Sequence, residues 1–326
     1  MKSTTLSLLA LSVTLGSSAF AQQIVGYTSL GAYNRGGTFV NNAPNPVTNK
    51  IYASTSTAPA AISVISGSTH KVTASVTASA NVEVLAVNST TNTIYSLNQD
   101  QTISVIDGSV DQLIATIPSV SNDNCITNMV VDEPANKVAL IDECNGTVYV
   151  LDGTSYALLS TISLSLQFAE GAAVNPVTHL LYITGDIDGA MAVVDLTSYT
   201  ATTVSMSFAE PFGVAVDTTL NRIYIGDDVF EDIYVFDGAT NTMLSSVAIT
   251  YNALQLLVNQ KTHILATSDD RQTLRFYHDF NLATDGQVSF GSKDSILFLS
   301  GNSNNNLFYT GVSPINALAF VQGPTH

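Results

Sequence analysis

Apolar residues along this chain fall at every second position or in short runs, a pattern typical of buried β-strands separated by polar turns. The pattern occurs seven times, with steps of 42 to 44 residues between equivalent positions. One column, mostly tyrosine, contains Tyr52, Tyr95, Ala139, Tyr182, Tyr224, Ala266 and Tyr309. A second, apolar column follows ten to twelve residues later and contains Val64, Val105, Val150, Val193, Val235, Phe276 and Phe320. A period near 43 residues with several short strands in each repeat predicts the blades of a β-propeller.

Each repeat accommodates four strands, which we label a to d in chain order. In the second repeat the expected strands span residues 83–87, 93–97, 102–106 and 112–117. The a–b turn of every repeat carries Asn or His, types that tolerate a positive φ. These residues are Asn49, Asn92, Asn136, His179, Asn221, His263 and Asn306. We expect the c–d turns to place Gly in the left-handed conformation, at Asp107-Gly108, Asp152-Gly153 and Asp237-Gly238.

The two ends of the repeat array indicate how a ring would close. The seventh repeat stops after its third strand near Gly323, whereas residues 24–30 resemble a strand that has no blade of its own. Because closure protects sheet edges that otherwise promote aggregation, we expect this segment to complete the last blade. An open solenoid would need polar capping repeats, and the sequence shows none. The predicted fold is all-β: a seven-bladed β-propeller with four antiparallel strands per blade, the last blade closed by the N-terminal strand.

The repeats resemble those of a known family. The stretches NPVTNKIYAS, VISGSTHKV, VIDGSVDQLIATIP and AEPFGVAVDTTLNRIYIGDDVFEDIYVFDGATNTM are similar to the YVTN-type β-propeller repeat, also called YncE-like. The resemblance covers about residues 37–323. It is weaker in blades three, six and seven, where Ala139 and Ala266 replace tyrosine and where His278-Asp279 and Gln322-Gly323 replace Asp-Gly. Since the matching letters lie in turns and core, the resemblance implies the fold and export. Related propellers include lactonases, lyases and cofactor-dependent dehydrogenases, but none of their site residues carries over.

The first 21 residues have the pattern of a secretory signal peptide. Lys2 provides the charged start, residues 6–15 are largely apolar, and small residues precede an expected cleavage after Ala21. The apolar stretch is about half as long as a bilayer requires, and no later segment is long enough to span. We therefore expect residues 22–326 to form one exported propeller domain, periplasmic or extracellular, with no membrane span.

The composition and charge limit the expected partners. The chain is 45% hydrophobic and 11% charged, with 26 acidic and 10 basic residues and a formal charge of −16. Such a chain can bury a large core and is not disordered. The shortage of Lys and Arg disfavours nucleic acid, because phosphates are bound by neutralising them. We expect a monomer whose partner is a protein or small ligand, with a cationic partner favoured.

Cys125 and Cys144 are the only cysteines. If strands a and b of the third blade pair with Val131 opposite Val138, the two cysteines also lie opposite each other. In an oxidising compartment that placement predicts a disulfide. The alternatives are a metal pair, which lacks further ligands at metal spacing, and a catalytic thiol, which lacks a nearby His.

The acidic residues are expected to divide unevenly between the two faces of the ring. With strand a at the axis and strand d at the rim, loops d–a and b–c share one face, which we call the upper face. Loops a–b and c–d share the lower face. Sixteen of the 26 acids fall on the upper face: Glu83, Asp100, Asp123, Asp142, Glu143, Glu170, Asp186, Asp188, Glu210, Asp227, Asp228, Glu231, Asp232, Asp269, Asp270 and Asp294. With only Arg35, Arg271 and Lys293 against them, we expect this face to attract cations or basic partners.

Blades four and five concentrate the acidic loops, and a Ca²⁺ ion is the cofactor they suggest, because Ca²⁺ prefers oxygen ligands on loops. The candidate ligands are Asp186, Asp188, Asp227, Asp228, Glu231 and Asp232. Residues 186–189 have the spacing of a fragment of a calcium loop. The alternative interpretation is a solvated acidic rim that keeps an exported protein soluble.

Few features of the sequence point to catalysis. It contains no HExxH, GxSxG, Walker or dinucleotide-binding motif. Glu83 and Glu170, each four residues before the last Val of a strand a, are candidate acid–base carboxylates at the upper mouth of the channel. Both positions also suit exposed strand ends. Two hypotheses follow: a non-catalytic propeller that binds or scaffolds a partner through the upper face, and a metal-assisted, lactonase-like hydrolase or lyase. The enzyme requires several ligand side chains to converge at the axis.

Overall fold

The computed structural model describes residues 22–30, 40–55, 61–121, 123–185, 187–206, 210–269, 272–278, 281–292, 294–313 and 315–324. The expected signal peptide, residues 1–21, lies outside the described residues, so its cleavage stays a prediction. Within the described part of the chain there is no helix long and apolar enough to cross a membrane. The regular structure in that part consists of 28 strands.

The strands form seven four-stranded antiparallel sheets. The first strand, β1 (Gln23–Ser29), belongs to the last blade. Blade 1 contains β2 (Val40–Asn45), β3 (Lys50–Thr55), β4 (Ala61–Ser66) and β5 (Val72–Thr77). Blade 2 contains β6 (Val82–Asn88), β7 (Thr93–Asn98), β8 (Ile103–Asp107) and β9 (Gln112–Ile117). Blade 3 contains β10 (Ile126–Asp132), β11 (Lys137–Asp142), β12 (Thr147–Asp152) and β13 (Leu158–Ser163).

The remaining blades repeat this arrangement. Blade 4 contains β14 (Ala169–Asn175), β15 (Leu180–Gly185), β16 (Ala190–Asp195) and β17 (Thr200–Ser205). Blade 5 contains β18 (Pro211–Asp217), β19 (Arg222–Asp227), β20 (Asp232–Asp237) and β21 (Thr242–Ala248). Blade 6 contains β22 (Gln255–Asn259), β23 (Ile264–Ser268), β24 (Thr273–His278) and β25 (Thr284–Ser289). Blade 7 contains β26 (Ser295–Asn302), β27 (Leu307–Ser313), β28 (Ala317–Gln322) and β1.

The blades form a closed ring. The innermost strands contact one another in the order β2, β6, β10, β14, β18, β22 and β26, and β26 contacts β2 again. Strand β1 pairs antiparallel with β28, from Gln23 opposite Gln322 to Ser29 opposite Ala317. The chain therefore supplies the outer strand of blade 7 from its N-terminal segment, which confirms the predicted fold and its closure.

The two sequence columns are cross-strand partners in every blade. Each residue of the tyrosine column on strand b lies directly opposite the apolar residue on strand c, from Tyr52 opposite Val64 to Tyr309 opposite Phe320. Buried side chains form seven apolar clusters, and each cluster lies between two neighbouring blades. Burial between blades therefore holds the ring together, since an isolated blade would leave both faces of its sheet in water.

The tyrosine hydroxyls add polar contacts between blades. Tyr95 Oη donates a hydrogen bond of 3.0 Å to the carbonyl oxygen of Gly153 in the next blade. Tyr52 Oη donates likewise to Asp111 Oδ1, at 3.1 Å. Burial raises the pKa of the Tyr182 phenol to about 12, so it stays a donor at neutral pH. At Tyr52, Tyr95 and Tyr182 the ring fills the apolar interface while the hydroxyl bonds to a turn of the neighbouring blade.

The a–b turns have the backbone conformation that the sequence predicts. All seven Asn or His residues of the column have φ between 49° and 58°. The c–d turns correct the expectation for glycine. In the turns after β8, β12 and β20 the left-handed residue is Asp111, Tyr156 or Asn241, rather than the glycine. The glycine is required for a different reason: a Cβ at Gly153 would lie 2.3 Å from Asn136 Oδ1 in the adjoining a–b turn.

Candidate functional site

The upper face carries most of the acidic residues that the structure describes. They are Glu83, Asp100, Asp123, Asp142, Glu143, Glu170, Asp188, Glu210, Asp227, Asp228, Glu231, Asp232, Asp269 and Asp294. Asp186, Asp270, Arg35, Arg271 and Lys293 lie outside the described residues. The antiparallel order of the strands places the d–a and b–c loops at one end of each sheet, and the described acids of these loops therefore share a face.

The lower face differs because several of its acids have basic partners. Asp111 contacts Lys50 at 2.8 Å, and Asp285 lies 3.7 Å from His278. Two fully buried aspartates accept from histidine Nδ1 atoms: Asp132 with His179 at 2.7 Å and Asp217 with His263 at 2.6 Å. On the described part of the upper face the corresponding contact joins Asp269 and Arg275 at 3.1 Å. Among contacts between described residues, a basic partner is thus found for four of nine acids on the lower face and for one of fourteen on the upper face.

The b–c loop of blade 5 is a rigid acidic turn. Asp227 Oδ1 accepts hydrogen bonds from the backbone N–H groups of Val229 at 2.8 Å and Phe230 at 2.6 Å. Asp228 accepts from Asn252 Nδ2 at 2.5 Å, and Asp232 accepts from the Tyr234 hydroxyl at 3.2 Å. Burial and the nearby charge of Asp227 raise the pKa of Tyr234, which keeps this donor protonated. These aspartates therefore define the shape of the loop as well as its charge.

The Ca²⁺ hypothesis stays a prediction. Asp186 lies outside the described residues, and Asp188 Oδ2 accepts from the backbone N–H of Gln167. Asp227 Oδ2 is buried and has no hydrogen-bond partner in the described structure. In that same part of the chain, the one group of three possible ligand atoms within 4.8 Å is Asp123, Cys125 and Asp142. The described candidates in blades 4 and 5 do not form such a group.

The cysteines are joined as the sequence predicts. Their Sγ atoms are 1.91 Å apart and their Cα atoms 5.6 Å apart. The register that led to this prediction holds at Val131 opposite Val138 but shifts by one residue at a β-bulge between Ile126 and Asn128. Beyond the bulge, Cys125 faces Glu143, whose N–H donates to its carbonyl oxygen at 3.0 Å. The bridge links the d–a and b–c loops of blade 3 on the upper face, and it removes Cys125 as a metal ligand.

Glu83 and Glu170 occupy equivalent β-bulges at the upper ends of β6 and β14. Their backbone carbonyls accept hydrogen bonds from asparagines of the preceding blade, Asn41 Nδ2 for Glu83 and Asn128 Nδ2, at 3.1 Å, for Glu170. Burial raises the pKa of the Glu83 carboxyl above its ordinary value. Blade 3 separates the two residues along the ring. The bulges give both glutamates a role in blade contacts, and a catalytic role stays a prediction.

The central channel contains a cavity of about 540 Å³ near the lower face. Its wall is apolar and comes from the innermost strands of blades 3 to 6, with Val131, Ala172, Val174, Val214, Val216 and Val258 among the lining residues. Glu133, at the lower rim, is the charged residue of the lining, and its carboxylate accepts from the Ser89 N–H at 3.1 Å. Neither Glu83 nor Glu170 lines this cavity.

A second cavity, of about 440 Å³, lies between blades 5 and 6 on the upper face. Arg275, which pairs with Asp269, stacks its guanidinium 3.8 Å from the centre of the Tyr251 ring. Tyr251 Oη is held in turn by hydroxyls of Thr267 and Tyr277, at 2.5 and 2.8 Å. The sequence did not indicate Arg275, because it lies within strand c at a position that belongs to neither repeated column. The surrounding bonds make this basic group part of the blade 5–6 contact.

No protein-family model and no curated protein matches the chain. The structure itself defines a seven-bladed β-propeller, a fold compatible with binding and scaffold roles. The similarity to YVTN-type repeats stays a prediction.

Proposed function

We propose that this protein is an exported, non-catalytic β-propeller that binds a basic partner through its upper face. The single observation that carries the proposal is the unequal compensation of charge between the faces. Four aspartates of the lower face contact Lys or His side chains, whereas Asp188, Asp228, Glu231 and Asp232 contact no Lys or Arg in the described part of the chain.

Uncompensated carboxylates at a surface favour association with cations. Crowded carboxylates make the electrostatic potential above the face more negative and steer a positively charged partner towards it. Two regions of this face are held in place: Asp227 and Asp228 accept hydrogen bonds that fix the b–c loop of blade 5, and the disulfide links two loops of blade 3. A rigid surface loses little conformational entropy when a partner binds.

Calorimetry with decalysine as the probe tests the proposal. The first variant carries Asp228→Asn, Glu231→Gln and Asp232→Asn, and the amides retain the acceptors that hold the loop. The control carries Asp107→Asn, Asp152→Asn and Asp237→Asn on the lower face, and these substitutions remove the same number of charges. Asn can still accept the backbone hydrogen bonds of these three turns. We expect the first variant to bind decalysine roughly tenfold more weakly, at about 0.5 kcal/mol per exposed charge pair. Equal weakening by the control would contradict a role for the upper face.

Salt dependence provides a second readout. Association driven by surface charge weakens as the Debye length shortens, so affinity for decalysine should fall steadily between 50 and about 300 mM salt. If decalysine does not bind at low salt, the proposed function is wrong. The mass of the mature chain isolated from its host tests the export part, with cleavage expected after Ala21.

A further inference from the structure

Large apolar side chains are exposed among the acidic loops of blades 4 and 5. Phe168 is 46% exposed, Ile187 55%, Val229 52% and Phe230 58%. Phe168 lies in the d–a loop that enters blade 4, Ile187 in the b–c loop of blade 4, and the other two in the b–c loop of blade 5. We call these four residues, with Asp188, Asp228, Glu231 and Asp232, the blade 4–5 patch. Scattered exposed apolar residues need no explanation, but a group on neighbouring loops rimmed by polar residues marks an interaction surface.

The fold holds these side chains in position. The hydrogen bonds from Val229 N–H and Phe230 N–H to the buried Asp227 fix the turn that exposes both residues. Phe168 has a φ of 52°, a left-handed conformation that is uncommon for a bulky residue and strains the backbone. The N–H of the preceding residue, Gln167, donates to Asp188 in the b–c loop, which connects the Phe168 and Ile187 loops. Phe168 therefore has a strained backbone although its side chain remains exposed to solvent.

We infer that the blade 4–5 patch binds a partner segment in which Lys or Arg alternates with large apolar residues. This inference rests on the proposed function and names the chemistry of the partner. A purely apolar partner would remove water from the carboxylates without pairing them, which is costly. A purely basic partner would leave the phenylalanines in water. A segment with both residue types pairs the carboxylates and buries the apolar side chains, and its cations gain further from the faces of Phe168 and Phe230.

Two peptides of equal charge separate the apolar contribution from the electrostatic one. The first alternates five lysines with five leucines, and the second has five lysines alternating with five serines. We expect the leucine peptide to bind the wild-type protein at least tenfold more tightly at the same salt concentration. We also expect Phe230→Ser to weaken binding of the leucine peptide about fivefold and to leave the serine peptide unchanged.

Matched variants locate the contact. Leu113→Ser with Ile114→Ser removes side chains that are 39% and 55% exposed on the outer strand of blade 2, and should leave both affinities unchanged. Phe168→Gly relieves the left-handed strain, so we expect it to raise the melting temperature while weakening binding of the leucine peptide. If Phe168 had only a structural role, the substitution would change the melting temperature without weakening binding of the leucine peptide.

The outcomes distinguish the two proposals. Equal affinity for the two peptides, or no effect of Phe230→Ser and Phe168→Gly, overturns the amphipathic partner while the acidic binding face stands. Weakening by the blade 2 control alone places the apolar contact elsewhere and also overturns the inference. Failure of both peptides and of decalysine to bind at low salt removes the proposed function itself.

Discussion

At the lower end of six of the seven innermost strands, one polar residue contacts the a–b turn of the next blade, and its type matches that of its partner. Four of these contacts join two asparagines through an amide N–H and an amide oxygen, at 2.8 to 2.9 Å. Where the strand ends in aspartate instead, at Asp132 and Asp217, the partner is histidine, which supplies the donor that a carboxylate needs. Whether a turn carries Asn or His therefore depends on the residue it contacts: Asn faces Asn, and His faces Asp.

The same matching extends to the c–d turn. Opposite Asn136 the turn residue is Gly153, because a side chain there would overlap the amide oxygen. Opposite His179 the equivalent residue is Leu196, whose N–H donates to the His179 carbonyl at 3.0 Å. The sequence shows the alternation of Asn and His, but the reason for it appears only when the two blades are placed side by side.

The Asp132 and His179 contact can be tested with a double-mutant cycle. The single variants Asp132→Ala and His179→Ala should each destabilise the fold by about 2 kcal/mol, because a buried charge-assisted hydrogen bond is lost. We expect the double variant to cost clearly less than the sum, with a coupling of about 1 kcal/mol in urea unfolding at pH 6. Additive costs would show that the two side chains contribute independently.

At the scale of elements, the strands of blade 2 were predicted to within one residue at each end. Their bounds follow from alternating burial and from turn residues, which are local properties. The bulges of the innermost strands were not predicted. The bulge near Cys125 shifted the expected register by one residue, since an extra residue is accommodated where backbone groups turn towards a neighbouring blade. Local sequence contains no clear mark of such a shift.

The disulfide of blade 3 joins two loops of one hairpin, with a sequence separation of 19. Closing a loop of this length should stabilise the native state by roughly 3 kcal/mol, chiefly by restricting the unfolded chain. We expect Cys125→Ser with Cys144→Ser to lower the free energy of unfolding by about that amount in urea. Reduction of the wild-type protein with dithiothreitol should give the same loss, and its effect on the double variant should be nil.

At the scale of the whole molecule, ring closure depends on the seam between blades 7 and 1. The His70 ring stacks on Phe320 with centroids 4.0 Å apart, and Thr28 Oγ1 of β1 donates to the His70 carbonyl at 2.6 Å. Gly26 is required at this seam because a Cβ there would lie 2.7 Å from His70 Nδ1. The strand that closes the ring is therefore fitted to one histidine of the first blade.

The seam should respond to pH. Burial lowers the pKa of His70 below its ordinary value of 6.5, so the folded state disfavours the charged ring. Because the unfolded chain then binds the proton more tightly, this contribution to stability is intact above pH 6.5 and declines as the pH falls below it. His70 is partly exposed, and the loss should be under about 1 kcal/mol.

Comparison of the wild type with His70→Asn isolates this effect, since Asn also accepts a positive φ. Urea unfolding at pH 7.5 and 5.5 should show a steeper decline for the wild type than for the variant. Identical pH dependence in the two proteins would exclude His70 as a titrating group of the seam. The other histidines are common to both proteins and cancel in the difference.

The surface features on which the proposed function rests were harder to predict from the sequence than the fold. The count of acidic residues on the upper loops needed only the order of the strands, and it holds for the described residues. The exposed Phe168 and Phe230 were not singled out, because an apolar letter in a β-rich sequence normally indicates core. Glu83 and Glu170 lie at the upper ends of β6 and β14, and the bulges that contain them and the apolar wall of the channel depend on packing between blades.

The amino-acid sequence by itself determined the number of blades, the strands within them, the cysteine pairing and the N-terminal closure, because repetition, alternation and turn chemistry act over a few residues. The tertiary structure alone decided which glycines avoid an asparagine, which carboxylates find a basic partner, and which apolar side chains stay in water. The glycine and its asparagine lie in two turns of one blade, which meet only when its strands pair. The buried aspartates meet their histidines in the neighbouring blade, 46 and 47 positions along the chain, only when the blades pack together.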